Sequence, residues 1–128
     1  MNQAILKRLK ANSRMSWQRI GKEVHLTGQA VAARVQRMEE QGAIRGYTIR
    51  QDNVERHFIT VFMENADFAG FEAFLNADER IEQAYKVTGE GCYHIVFMSL
   101  SNADLEPFLN MLLRYGKYRV SSAIRCVK

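Results

Sequence analysis

Apolar residues recur along this chain with two different periods, and the change from one to the other divides it. From Asn2 to Gly42 they fall three and four apart, the spacing of one helical face. Ile5, Leu6 and Leu9 make the first stripe, with Asn2 placed to cap the helix and Asn12-Ser13 to end it. Trp17, Ile20 and Val24 make the second, opened by Ser16. His25-Leu26 leaves that pattern, and Thr27 is a good N-cap for another helix. Val31, Val35 and Met38 then fall at i, i+4 and i+7, which predicts a third helix from about Thr27 to Gln41. Gly42 stands one residue past the stripe, where a left-handed C-cap is wanted. A short helix, a tight turn and a longer helix make a helix-turn-helix, whose second helix can enter a DNA major groove.

After Gly42 the period becomes two. Tyr47-Thr48-Ile49-Arg50 alternates apolar and polar like a half-exposed strand, so residues 1–50 read as a winged or strand-extended helix-turn-helix. Gln51 to Arg56 is polar and reads as a linker over 51–56. His57 to Met63, rich in β-branched and aromatic residues, predicts a strand. Asn65 or Asp67 caps a helix that turns Phe68, Phe71 and Leu75 inward. Ile81–Thr88 and Tyr93–Leu100 read as strands joined by the turn Gly89-Glu90-Gly91. Asp104 is placed to cap a last helix, with Pro107 tolerated in its first turn and Leu105, Phe108, Leu109 and Leu112 as its stripe. Gly116 stops that helix, and Tyr118–Val127 predicts a final strand. Residues 57–128 therefore follow the order βαββαβ of a ferredoxin-like domain, and the chain as a whole is α+β. Such a sheet carries helices on one face only; its open face must be buried on something, and a second copy is the simplest cover.

Charge sharpens this division. The 128-residue chain has a formal net charge of +4. Residues 1–50 hold ten Lys/Arg against three acids, +7, while residues 51–128 hold eight against eleven, −3. A basic helix-turn-helix suits a polyanion. No apolar run approaches the roughly 18–20 residues of a membrane span, and the amphipathic N-terminus lacks the continuous apolar segment of a signal peptide, so a cytoplasmic location is expected.

On the predicted third helix, Gln29, Ala33, Gln36 and Glu40 lie opposite the Val31/Val35/Met38 stripe at about 100° per residue, with Ala32 and Arg37 beside them. Gln can bond bidentately to adenine and Ala can touch a thymine methyl. Arg34 lies nearer the stripe, where it either holds a phosphate or packs within the domain. Thr27, at the entry to this helix, joins the DNA-contacting set, and Arg37 and Arg45, with Arg14, Lys22 and Arg50, are candidate phosphate contacts. Chemistry of other kinds is sparse. Cys92 and His94 share a strand face, but two ligands do not close a zinc site. In a sheet of order 4-1-3-2, Cys92 and Cys126 would lie on strands about 10 Å apart, beyond disulfide reach. No nucleophile–base pair, paired acids or cofactor motif stands out, so neither an enzyme nor a bound cofactor is expected. The Gly89-Glu90-Gly91 turn is too short for a nucleotide-binding loop; locally it reads as a hairpin.

The chain resembles the Lrp/AsnC (feast/famine) family of transcription regulators along nearly its whole length. The resemblance rests on Ile5-Leu6, Leu9 and Arg14, followed by Val31, Arg34, Val35, Met38, Glu39, Gly42, Ile44 and Tyr47, all at the family's fixed spacing. A shorter match is Val87-Thr88-Gly89 with Tyr93. The family joins an N-terminal helix-turn-helix to a ferredoxin-like sensing domain. The resemblance implies a sequence-specific DNA-binding regulator modulated by a small molecule such as an amino acid, active as a homodimer that assembles further, often to an octamer. It also implies an effector site at Gly89, Glu90, Gly91 and Cys92, between subunits; Cys92 stands where the family often carries Asp.

Overall fold

The computed structural model describes residues 1–128, which fall into two compact units, Met1–Arg50 and Gln51–Lys128. No helix is long and apolar enough to cross a membrane.

The first unit is three helices: α1 (Asn2–Ala11), α2 (Trp17–Val24) and α3 (Gly28–Glu40). Their stripes meet as the sequence requires, because Ile5, Leu9, Ile20, Val24, Val31, Val35 and Met38 form one buried cluster, with Leu6, Met15, Leu26 and Ile44 packed on its margin. Trp17, expected in the α2 stripe, stays exposed. Ser16 caps α2 through its hydroxyl, which accepts from the Arg19 N–H at 3.2 Å. His25 ends α2 in the left-handed region at φ +62 and turns the chain into Leu26. Gly42 adopts φ +81 past the end of α3, where glycine avoids the steric cost of a Cβ.

The close approach of the turn to α2 depends on Gly21. A Cβ there would stand 2.3 Å from the Leu26 carbonyl oxygen and 3.2 Å from backbone carbons of Leu26 and Thr27, while the Leu26 N–H bonds back to the Gly21 carbonyl at 2.9 Å. Backbone cannot swing aside as a side chain can. Gly21→Ala is therefore expected to destabilise the first unit by about 1–3 kcal/mol, although alanine is the better helix former. Denaturant unfolding followed by circular dichroism measures this; a more stable variant would contradict the packing described.

Two further expectations for this unit fail. Asn2 does not cap α1: the helix starts at Asn2 itself with Met1 at the N-cap, and the Asn2 side chain instead accepts from Arg34. Tyr47–Arg50 is exposed and forms no strand, so the unit is a helix-turn-helix with an extended tail and no wing. The alternation of side chains is present, but a strand needs a ladder partner, and the chain offers none there.

The second unit is a four-stranded antiparallel sheet of order β2-β3-β1-β4, with β1 Glu55–Met63, β2 Ile81–Lys86, β3 Tyr93–Ser99 and β4 Gly116–Ser122. Helices α4 (Phe68–Asn76) and α5 (Leu105–Leu112) complete the βαββαβ order. Ile59, Val61, Tyr93, Ile95 and Phe97 of the sheet bury against Phe71 and Leu75 of α4 and Phe108 and Leu112 of α5. Aromatic rings fill this core, Phe97 with Phe108 at 4.3 Å and Phe71 with Tyr93 at 4.9 Å between centroids. The Tyr93 hydroxyl donates to Glu72 at 2.6 Å. Burial, and secondly that bond to a carboxylate, pushes its pKa up to about 12.

Boundaries shift in physically readable ways. Glu55 and Arg56, expected in the linker, are the first residues of β1, and Arg56 forks onto Glu82 at 2.6 and 3.0 Å. Asp67, through its bond from the Gly70 N–H, caps α4, while Asn65 caps only the turn before it. Asp104 stands at the α5 N-cap without a side-chain bond, since Ser101 opens a short 3₁₀ turn ahead of it. The last strand ends at Ser122, not Val127: the Ala123 N–H still reaches the Arg56 carbonyl, but β1 begins at Glu55, so the sheet has almost no edge left to pair with.

The register places Phe58, Thr60 and Phe62 of β1 on the face away from α4 and α5, with His94, Val96 and Met98 of β3 and Arg119 of β4. None of these side chains belongs to the buried core cluster.

Candidate DNA-contacting helix and effector turn

Helix α3 is held from behind by Val31, Val35 and Met38, so its remaining surface is fixed in aim. Thr27 starts it, its hydroxyl accepting from the Ala30 N–H at 3.1 Å. That bond occupies the side chain as a cap and leaves it exposed at the helix entry. Gln29, Ala33, Gln36 and Arg37 are all exposed. Gln36 Nε2 donates to Glu40 at 3.3 Å and Arg37 Nε reaches the Ala33 carbonyl at 3.4 Å, contacts weak enough to be exchanged for a ligand. Arg34 is half-buried, and its Nη1 donates to Asn2 Oδ1 at 3.3 Å, which ties α3 to α1. Arg34 thus makes a contact within the domain through one guanidinium nitrogen. Arg45 is exposed on the irregular segment after α3.

The second candidate site is the turn between β2 and β3. Gly89 (φ +93) and Gly91 (φ +83) both occupy the left-handed region, so both positions strain any residue with a Cβ. Their surroundings differ. A Cβ on Gly91 would lie 2.5 Å from Thr60 Cγ2 and 3.3 Å from the Val61 carbonyl oxygen, whereas one on Gly89 would meet nothing within 4 Å. The Cys92 N–H bonds to the Val61 carbonyl at 2.8 Å and the Val87 N–H to the Cys92 carbonyl at 2.9 Å, so the base of the turn is fixed on β1 while its tip stands clear. Cys92 is half-buried, and both cysteines are free thiols.

Glu90, at that tip, is already engaged: its carboxylate accepts from the guanidinium of Arg119 on β4. Arg119 in turn lies over the Phe62 ring, 5.5 Å from its centroid. Sequence reasoning gives Arg119 no role. The signal available is indirect: strand four has to lie beside strand one, and Thr60 has to face Arg119 in register.

Comparison with known proteins joins the two units. The AsnC-type helix-turn-helix domain matches residues 1–39, and the Lrp/AsnC ligand binding domain matches residues 56–128. The HTH-type transcriptional regulator LrpB of Bacillus subtilis is 34% identical, over 97% of this chain and 87% of its own length. The structure of B. subtilis LrpC superposes with a TM-score of 0.84 at 25% identity, covering 99% of this chain and 94% of that one. The feast or famine regulatory protein from M. tuberculosis, solved in complex with L-methionine, has the same fold at a TM-score of 0.84 and 23% identity, over 99% of this chain and 92% of that one. With both halves matched in this order, the chain belongs to the Lrp/AsnC family of helix-turn-helix transcription regulators.

Proposed function

We propose that residues 1–50 bind operator DNA through α3, and that an amino acid held at the Gly89–Cys92 turn sets how well paired copies do so. The observation that carries this reading is the exposed Gln29/Ala33/Gln36 surface on a helix capped at Thr27 and buried behind, in the unit that carries the chain's positive charge. Arg37 and Arg45 supply phosphate contacts, and Arg34 aligns α3 through Asn2. The effector is argued from the turn's free glycine tip and from the M. tuberculosis relative that binds L-methionine. Regulation is then linkage: an effector that prefers one assembly state shifts its population, and with it the spacing of recognition helices. The unpartnered sheet face, with Phe58, Phe62, Val96 and Met98, supports a homodimer as the unit of assembly, from which an octamer would be built. The cell interior, where DNA and free amino acids meet, is the location this function needs.

Gln and Ala dominate the exposed helix face, and no arginine stands on its first two exposed turns to read guanine. Selection of bound sequences from random DNA, with and without a pool of amino acids, is expected to return A/T-rich, degenerate, roughly palindromic sites with half-sites about one or more helical turns apart. The amino acids should change the recovered spacing or the yield. A sharp G/C-rich consensus would contradict the assignment of α3.

A further inference from the structure

The Glu90–Arg119 ion pair joins the tip of the glycine turn to β4. In the single chain both side chains are largely exposed, at 64% and 74%, with Arg119 on the open face of the sheet. Such a pair is held by little, because water screens it and two long side chains lose freedom in forming it. Everything around it is better fixed. Gly91 packs on Thr60, the Cys92 N–H is bound to the Val61 carbonyl, and Thr60 lies directly opposite Arg119 in the β1–β4 register. Phe62 lies beneath the guanidinium and limits where it can point. Two opposite charges are thus presented side by side on rigid supports, and the contact between them is the weakest part of the arrangement.

An α-amino acid has the matching form, an ammonium and a carboxylate on one carbon. We infer that Glu90 and Arg119 form the charge-matched clamp of the effector turn, closed on each other when empty and opened by an amino acid that gives its carboxylate to Arg119 and its ammonium to Glu90. This rests on the reading that an amino acid binds at the turn, and it adds Arg119 as the residue that demands a free carboxylate. Arginine suits that role, since its planar fork takes a carboxylate through two parallel hydrogen bonds. Opening the pair costs the ligand little, and each end of the ligand replaces one charge-assisted bond with another.

The clamp makes a crossed prediction that a merely structural ion pair would not. The probes are L-methionine and the other standard L-amino acids, each with its amide, which keeps only the ammonium, and its des-amino acid, which keeps only the carboxylate. Calorimetry is run on the full chain and on Arg119→Gln and Glu90→Gln, with an unfolding curve for each. Arg119→Gln should weaken the amino acid by about twofold to fivefold, the scale of one exposed charge pair. The same change should leave the amide bound as well as or several-fold tighter than in wild type, because Glu90 is released from its partner. Glu90→Gln should do the reverse, weakening the amide and sparing or favouring the des-amino acid. If wild type binds an amino acid and both variants bind all three probes as it does, the clamp is overturned while the effector turn stands. If wild type binds no amino acid, the effector reading fails, and the clamp with it.

Discussion

Replacing Arg37 and Arg45 together with alanine is expected to weaken DNA binding and to flatten its salt dependence. The slope of log K against log salt should fall by about one unit for each phosphate that is no longer neutralised. Between roughly 50 and 200 mM salt, a protein that neutralises several phosphates drops by orders of magnitude in affinity, so the double variant should differ most from wild type at low salt. Arg37 is exposed on α3 with only a 3.4 Å contact to the Ala33 carbonyl, and Arg45 is exposed just beyond the helix. Neither side chain is buried, and an unfolding curve for the double variant separates lost contacts from lost fold. Arg34→Ala would be a poorer probe, because it also breaks the Asn2 contact between α3 and α1. Binding curves at several salt concentrations decide the matter. An unchanged slope would remove these arginines from the interface.

The helical half of this site is legible in the sequence because a buried stripe fixes its opposite face. With Val31, Val35 and Met38 on the core side of α3, Gln29, Ala33 and Gln36 have to point away, and they do. Thr27 is legible as a cap from its residue type and place. The inferences that fail are those that need a partner elsewhere in the chain. Tyr47–Arg50 has the alternation of a strand but no neighbour to pair with. Val127 continues the apolar pattern of β4, although the strand beside it begins only at Glu55. Asn2 has the chemistry of a cap, yet Arg34, thirty-two positions away, takes its side chain. The Glu90–Arg119 pair is illegible for the same reason. It arises from sheet order and register together, and neither residue's local sequence announces the other.

Valine at Gly89 is expected to abolish the response to amino acids. A Cβ at this position meets no protein atom within 4 Å, so the added bulk would project into the space a ligand needs to approach the backbone. Positive φ adds strain of about 1–2 kcal/mol for any L-residue, and more for a β-branched one. That cost is small beside a typical folding stability of about 5–15 kcal/mol, so the variant should fold, as its own unfolding curve will show. Alanine at the same position separates the two causes. It carries the φ penalty common to any L-residue, without the β-branched excess and with little bulk, and should keep most of the amino-acid response. Gly91 cannot serve here, since a Cβ 2.5 Å from Thr60 would disturb the sheet itself. Thermal shift and calorimetry against the standard L-amino acids supply the readout. Loss of response in the valine variant alone points to occupied space at the tip of the turn. Equal loss in both variants points to the left-handed backbone as the feature the ligand uses. A valine variant that responds as wild type does would make Gly89-Glu90-Gly91 a hairpin and nothing more.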